Sequence, residues 1–198
     1  VRTMSPGDVL YIDGYLMDHP ANKEAAEAAL RVLPEGVHVV LDVSPVIGIP
    51  DGLPTASLIS MSSSEAASLW KDTDRKAINV RSWLPAEDAS IAMASLLRHD
   101  VVVRAGKDGA YFTRYTDSAK LSSTHIPPLS VEVIDTNGAG DAHTGVLAAC
   151  LAEGMPVERA LLLANCAGAL ASTTIGPATC PPRPQIEAAA DAPAEQED

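Results

Sequence analysis

At 198 residues, with 46% apolar and 20% charged side chains, the chain can bury one substantial core as a globular domain. A net charge of −12 excludes broad electrostatic attraction to nucleic acid or an anionic membrane, and no apolar run is long enough to span a bilayer. The three cysteines, Cys150, Cys166 and Cys180, are odd in number and lack metal-ligand spacing, which points to reduced thiols in a cytoplasmic protein.

In chain order, Val9 to Ile12, stopped by Asp13-Gly14, reads as a short buried strand of interior type. With Val1 in place of an initiator methionine, this start suggests that an N-terminal region is missing. Asn22 to Val32 has helical spacing, with Ala26, Ala29, Leu30 and Leu33 on one side and Pro34 closing it. Val37 to Asp42 is a second strand, Leu58-Ile59 a short third one, and Ser62 to Trp70 a helix. Its opening Ser62-Ser-Ser-Glu65 suits a reciprocal cap. Lys71 to Leu84 carries no readable period. Ala86 to Leu97 returns to helix, and Asp100-Val-Val-Val-Arg104 is a clear strand that turns through Gly106-Lys-Asp-Gly109 into Ala110 to Tyr115, a hairpin.

The next stretch is the most informative. Val131, Val133 and Ile134 suggest the end of a strand stopping at Asp135. Gly138, Ala139 and Gly140 follow, and then Asp141 opens an alanine-rich helix that runs to Glu153. Small residues at a strand-to-helix turn let backbone N–H groups face an anion, and the helix adds its positive dipole end. A carboxylate in the same turn can take a proton from an attacking hydroxyl. A second helix fits Val157 to Thr173. From Pro181 the composition turns to Pro, Ala, Glu and Asp, so 183–198 reads as an acidic tail, with a helical turn or two open to Gln185–Ala190. Strands alternating with helices predict an α/β layered, Rossmann-like domain over 1–182, its sheet mostly parallel with an antiparallel hairpin in the later half. Ligands of such sheets sit beyond the carboxyl ends of the strands, where both glycine turns fall. No Gly-x-Gly-x-x-Gly turn follows an early strand, which sets aside a dinucleotide-using oxidoreductase.

Assembled in this order, the residues from about Asp8 to Pro182 resemble the ribokinase-like (PfkB) family of carbohydrate and nucleoside kinases. Asp135-Thr-Asn-Gly-Ala-Gly-Asp141 is similar to its C-terminal signature, and Arg104-Ala-Gly-Lys-Asp-Gly109 to its nucleotide-side strand and glycine turn. The resemblance implies a ribokinase-like fold without the family's N-terminal lid portion, and ATP-dependent phosphoryl transfer, with Mg²⁺, to a hydroxyl of a small sugar or nucleoside. It makes Asp141 the base and the N–H groups of Gly138, Ala139 and Gly140 the anion hole. Gly106 and Gly109, with Arg104 before them, would approach the nucleotide phosphates, and Asn165 the adenine or ribose. Glu65, with Ser62 where the family carries Asn, would support Mg²⁺ and the phosphates. Asp135, Asn137, Gly176 and Cys180 stand where the family holds a monovalent cation such as K⁺. A homodimer is implied only with the lid present. His143 stands where members often carry Phe, and as a residue two positions from Asp141 its side chain diverges, so packing is its expected role.

Simpler roles remain open for several of these positions. Asp135 suits pinning its own turn as well as a cation, Glu65 suits a helix start as well as Mg²⁺, and Gly106 and Gly109 suit any hairpin. A regulatory, non-catalytic nucleotide-binding piece of such a kinase is the alternative function.

Overall fold

The computed structural model describes residues 1–45, 49–54, 57–72, 84–118 and 120–192. Six strands form one sheet: β1 (Val9–Asp13), β2 (His38–Asp42), β3 (Leu58–Ser62), β4 (Asp100–Arg104), β5 (Ala110–Thr113) and β6 (Ser123–Ile126). Their spatial order follows the chain, β1-β2-β3-β4-β5-β6. The first four run parallel, and β5 and β6 turn back antiparallel. This is the mixed α/β sheet anticipated from the alternation of elements, and the hairpin at Gly106–Gly109 is the point where parallel pairing ends.

Alternate side chains of the parallel strands feed two separate cores, and β5 and β6 add to the second. Leu41, Ile59, Met61, Val101 and Val103 pack with Leu30, Ala66 and Met93 of the helices α1 (Pro20–Arg31), α2 (Ser63–Asp72) and α3 (Ala86–Leu97). Val40, Leu58, Val102 and Phe112 pack on the other face with Leu147, Leu161 and Ala164 of α4 (Ala139–Ala152) and α5 (Val157–Ala171). Near-continuous apolar runs such as Val101-Val-Val103 are what strands covered on both faces require.

Three expectations change. The strand anticipated before Asp135 does not form: residues 127–134 belong to no strand, and Val133 and Ile134 are exposed at 58% and 59%. Pro127 and Pro128 supply no N–H for a ladder, so pairing stops at Ile126. The segment is instead anchored by the Ile134 and Asp135 N–H groups, which donate to Ser172 O at 2.8 and 3.1 Å. The strand β6 is a surprise; only four residues long and polar but for Ile126, it pairs with β5 over Ser123–Ile126. Finally, the start of the acidic segment folds as α6 (Arg183–Asp191), which buries Ile186 at 4% exposure in the α5-side core. The unreadable stretch around Lys71–Leu84 lies mostly outside the described residues. Among the described residues no helix is long and apolar enough to cross a membrane.

Candidate active site

The carboxyl ends of β1 to β4 open onto a cleft of about 730 Å³, walled by the Gly106–Gly109 turn, the loop after β6, and the facing ends of α4 and α5. Asp141, Gly138, Ala139, Gly140, Arg104, Gly106, Gly109, Asn165, Glu65, Ser62 and Asn137 all line it. Residues from four distant parts of the chain are therefore brought together at one cleft.

The turn into α4 is built on Gly138, which caps the helix at φ +78°. Any Cβ there would overlap the Pro177 carbonyl, so the position demands glycine on both counts. The Ala139 N–H folds back to Thr136 O at 3.2 Å, and Ala142 N–H reaches Gly138 O at 2.9 Å. Among the described residues the Gly140 and Asp141 N–H groups are left without acceptors, the ordinary state of a helix start that can receive an anion. The Ala139 amide, by contrast, is occupied by its own turn.

Asp141 is exposed in the first turn of α4. Partial burial of the carboxyl, then the nearby Asp42 and Asp13, raise it above the usual carboxylate range, and Arg104 opposes them. Burial followed by Asp42, Asp13 and Asp141 likewise pushes the Tyr11 phenol up. Asp13 and Asp42 are register partners at the ends of β1 and β2.

Beneath this turn lies a polar network that the motifs do not announce. The Arg104 guanidinium donates to Asp42 through both nitrogens, at 2.7 and 3.2 Å, to Thr144 Oγ1 at 2.7 Å, to Ser60 Oγ at 3.1 Å and to Glu65 Oε2 at 3.4 Å. Thr144 in turn donates to Asp42 Oδ2 at 2.6 Å. Burial disfavours the guanidinium charge, but Asp42 and then Glu65 more than offset this and hold it above its usual range. Arg104 thus reaches protein acceptors at the floor of the cleft. Asp42 was legible only as a lone carboxylate ending an apolar strand, a signal that becomes meaningful at the carboxyl edge of a parallel sheet.

Glu65 and Ser62 form a reciprocal cap: Ser62 N–H donates to Glu65 Oε2 at 2.6 Å, and Glu65 N–H to Ser62 Oγ at 3.2 Å. With Arg104 on the same oxygen, Glu65 has the geometry of a helix-start carboxylate at the cleft edge. Gly106 and Gly109 take positive φ in the turn, and a Cβ on Gly109 would overlap the Ile126 carbonyl. Lys107 is exposed. Asn165 is 9% exposed, and its amide donates to Ile126 O at 3.1 Å and Pro127 O at 2.9 Å, holding the loop that leaves β6 against α5.

His143 is buried beside Asn165, and among the described residues neither ring nitrogen has a hydrogen-bond partner of acceptable geometry. Burial, then Arg104, push its pKa down to about 3, so the ring is neutral. It packs where α4 crosses Gly168 of α5, as the divergence from Asp141 predicts.

The remaining motif residues lie beside the cleft. Asp135 accepts Asn137 N–H on one oxygen and Gly176 N–H on the other, both at 2.9 Å. These two bonds, in that order, hold its carboxyl below the usual range. Asp135 therefore pins the turn and links it to the Gly176 loop. Cys180 is exposed further along, its thiol toward Pro181 O at 3.7 Å. Among the described residues no three His, Cys, Asp or Glu side chains converge to hold a metal.

Comparison with known proteins agrees with this geometry. The chain is 32% identical over 180 residues to the uncharacterized sugar kinase YegV of Escherichia coli K12, covering 88% of this chain and 51% of that protein. It is 31% identical over 177 residues to the aminoimidazole riboside kinase of Salmonella typhimurium, covering 85% and 53%. Ribokinase from Thermotoga maritima shares the fold, with a TM-score of 0.71 at 24% identity over 92% of this chain and 56% of that one. The chain spans about half the length of the curated relatives it matches. The pfkB family carbohydrate kinase model matches residues 2–184, and the chain belongs to that family.

Proposed function

We propose that this chain forms the nucleotide-binding and phosphoryl-transfer portion of an ATP-dependent kinase acting on a hydroxyl of a sugar or nucleoside. The observation that carries the reading is the junction of unpaired Gly140 and Asp141 N–H groups with the Asp141 carboxylate at one helix start, inside a cleft. Its volume of about 730 Å³ lies in the range of about 300–1,000 Å³ usual for small-ligand sites. In the reaction, Asp141 accepts the proton of the substrate hydroxyl as its oxygen bonds to the γ-phosphorus. The bond from that phosphorus to the bridging oxygen breaks, and ADP leaves with the electron pair. The free amides of Gly140 and Asp141 stabilise charge on the transferred group. Gly106 and Gly109 allow close approach of the nucleotide, and Asn165 lies at its base or ribose end. Glu65 at the cleft edge would support Mg²⁺ carried by the phosphates, which would neutralise their charge. Asp135, Asn137, Gly176 and Cys180 are the residues that would flank a monovalent cation such as K⁺, at the turn that Asp135 ties to the Gly176 loop. The cytoplasm, where ATP is abundant, is the expected compartment.

The alternative reading is a nucleotide-binding or regulatory domain derived from such a kinase, without turnover of its own. ADP release should be followed with ATP and a panel of sugars and nucleosides, for the chain and for Asp141→Asn. Loss of a general base lowers turnover by ~10²–10⁴, with ADP binding retained. Nucleotide binding without phosphorylation of any acceptor selects the second reading, and full activity in Asp141→Asn refutes the base.

A further inference from the structure

Arg104 ends β4, and its side chain is only 13% exposed. Its nitrogens reach acceptors on β2 (Asp42), β3 (Ser60), α2 (Glu65) and α4 (Thr144), and Nη1 also lies 3.5 Å from the Gly140 carbonyl in the first turn of α4. A Cβ placed on Gly140 would stand 3.6 Å from Cζ, Nη1 and Nη2 alike, so the flat face of the guanidinium underlies that glycine. One side chain thus ties the helix start holding the free amides to three other elements of the sheet layer. Only a planar, multidentate cation can do this; a lysine offers the charge without the fork.

We propose that Arg104 is the positioning residue of the phosphoryl-transfer site, fixing the first turn of α4 in place and setting the charge around Asp141. This deepens the reading above and rests on it for the role of Asp141. The groups facing Asp141 are Tyr11 and Asp13 from β1, Asp42 from β2 and Arg104 from β4, with Glu65 of α2 on the far side of the guanidinium. Asp42 and Asp13 disfavour the Asp141 carboxylate, and Arg104 is the neighbour that favours it. A Cβ at Gly140 would rest on the guanidinium at ordinary van der Waals distance, so the two groups are packed face to face.

The test needs no turnover, so its failure is separable from failure of the kinase reading. Carboxyl-carbon NMR follows the Asp141 titration, and amide hydrogen exchange follows Ala139 and Ala142, the hydrogen-bonded amides of the turn, in the chain, Arg104→Lys and Arg104→Met. In Arg104→Met the Asp141 midpoint should rise and these amides should exchange about ten- to a hundredfold faster, the loss expected for charge-assisted hydrogen bonds. In Arg104→Lys the midpoint should stay while the amides still loosen. Arg104→Met strands the buried Asp42 carboxylate, so Asp42→Asn/Arg104→Met is run beside it. There the amides should loosen again, but the midpoint should fall, because Asp42 outweighs Arg104 at Asp141. An unmoved Asp141 titration together with unmoved amides in these variants, with only global stability lowered, would make Arg104 an ordinary interior ion pair and overturn the proposal.

Discussion

The Thr144 hydroxyl donates a 2.6 Å hydrogen bond to Asp42 Oδ2, joining residues 102 positions apart and locking α4 to the end of β2. The same hydroxyl accepts from Arg104 at 2.7 Å and lies 3.2 Å from Ser60 Oγ. Thr144→Val keeps the shape and removes every one of these contacts. Unfolding by urea should show a loss of about 1–3 kcal/mol, the usual cost of an unsatisfied buried polar group. Thr144→Ser, which keeps the hydroxyl, should recover most of it.

Gly138 is held at φ +78° with the Pro177 carbonyl where a Cβ would be. Gly138→Ala should therefore cost more than the roughly 1–3 kcal/mol of a strained backbone position, because carbonyl and methyl cannot both stay. Thermal unfolding measures the loss. ADP binding should fall in the same variant, since relief requires moving the turn that carries the free amides.

For Asp141, a folded-state pKa above the ordinary 3.8 means that its contribution to stability is fully present below that value and is lost as pH rises through the folded one. Removing the charge should consequently help the fold at neutral pH. Asp141→Asn should melt higher than the parent at pH 7, and the gap should narrow as the pH is lowered toward 4. A variant that melts lower at pH 7 would contradict the crowding by Asp42 and Asp13.

His143 has the opposite sign. Its folded pKa of about 3 lies below the ordinary 6.5, so the unfolded chain takes up the proton first. Stability is intact above 6.5 and falls between 6.5 and about 3, with a limiting slope of about 1.4 kcal/mol per pH unit from this group alone. His143→Phe should flatten urea-unfolding stability over that window. It should also stabilise the chain at pH 8, where two buried nitrogens without partners are exchanged for carbon.

Much of the architecture was legible because the central strands β2, β3 and β4 are covered on both faces and so write themselves as largely apolar runs. The strands at Val9, Val37 and Asp100 and the helices at Ala86 and Val157 were placed within a residue or two at most ends. β6 was not, because Ser123, Thr124 and His125 carry no apolar alternation and the strand is held by β5 alone. The supposed strand at Val131–Ile134 failed for the complementary reason: its apolar residues face outward, and prolines cut the ladder before it. Ile186 shows the limit of composition: with Ala189 and Ala190 beside it and the Arg159–Asp191 and Arg183–Glu153 ion pairs, it packs a segment of Pro, Ala and acid as a helix. Within the site, the glycine motifs announced themselves by chain order. The Asp42–Arg104–Thr144 network did not, because its members are isolated polar residues that acquire meaning only when three elements are brought into register.

The sheet's spatial order repeats its order along the chain, with no strand inserted between earlier neighbours. Such a layout can be laid down progressively as the polypeptide leaves the ribosome, each new strand finding its edge already waiting. The helix bearing Asp141 is made only after the six described strands. During synthesis, the acidic ends of β1 and β2 are therefore in place before the group whose proton affinity they tune.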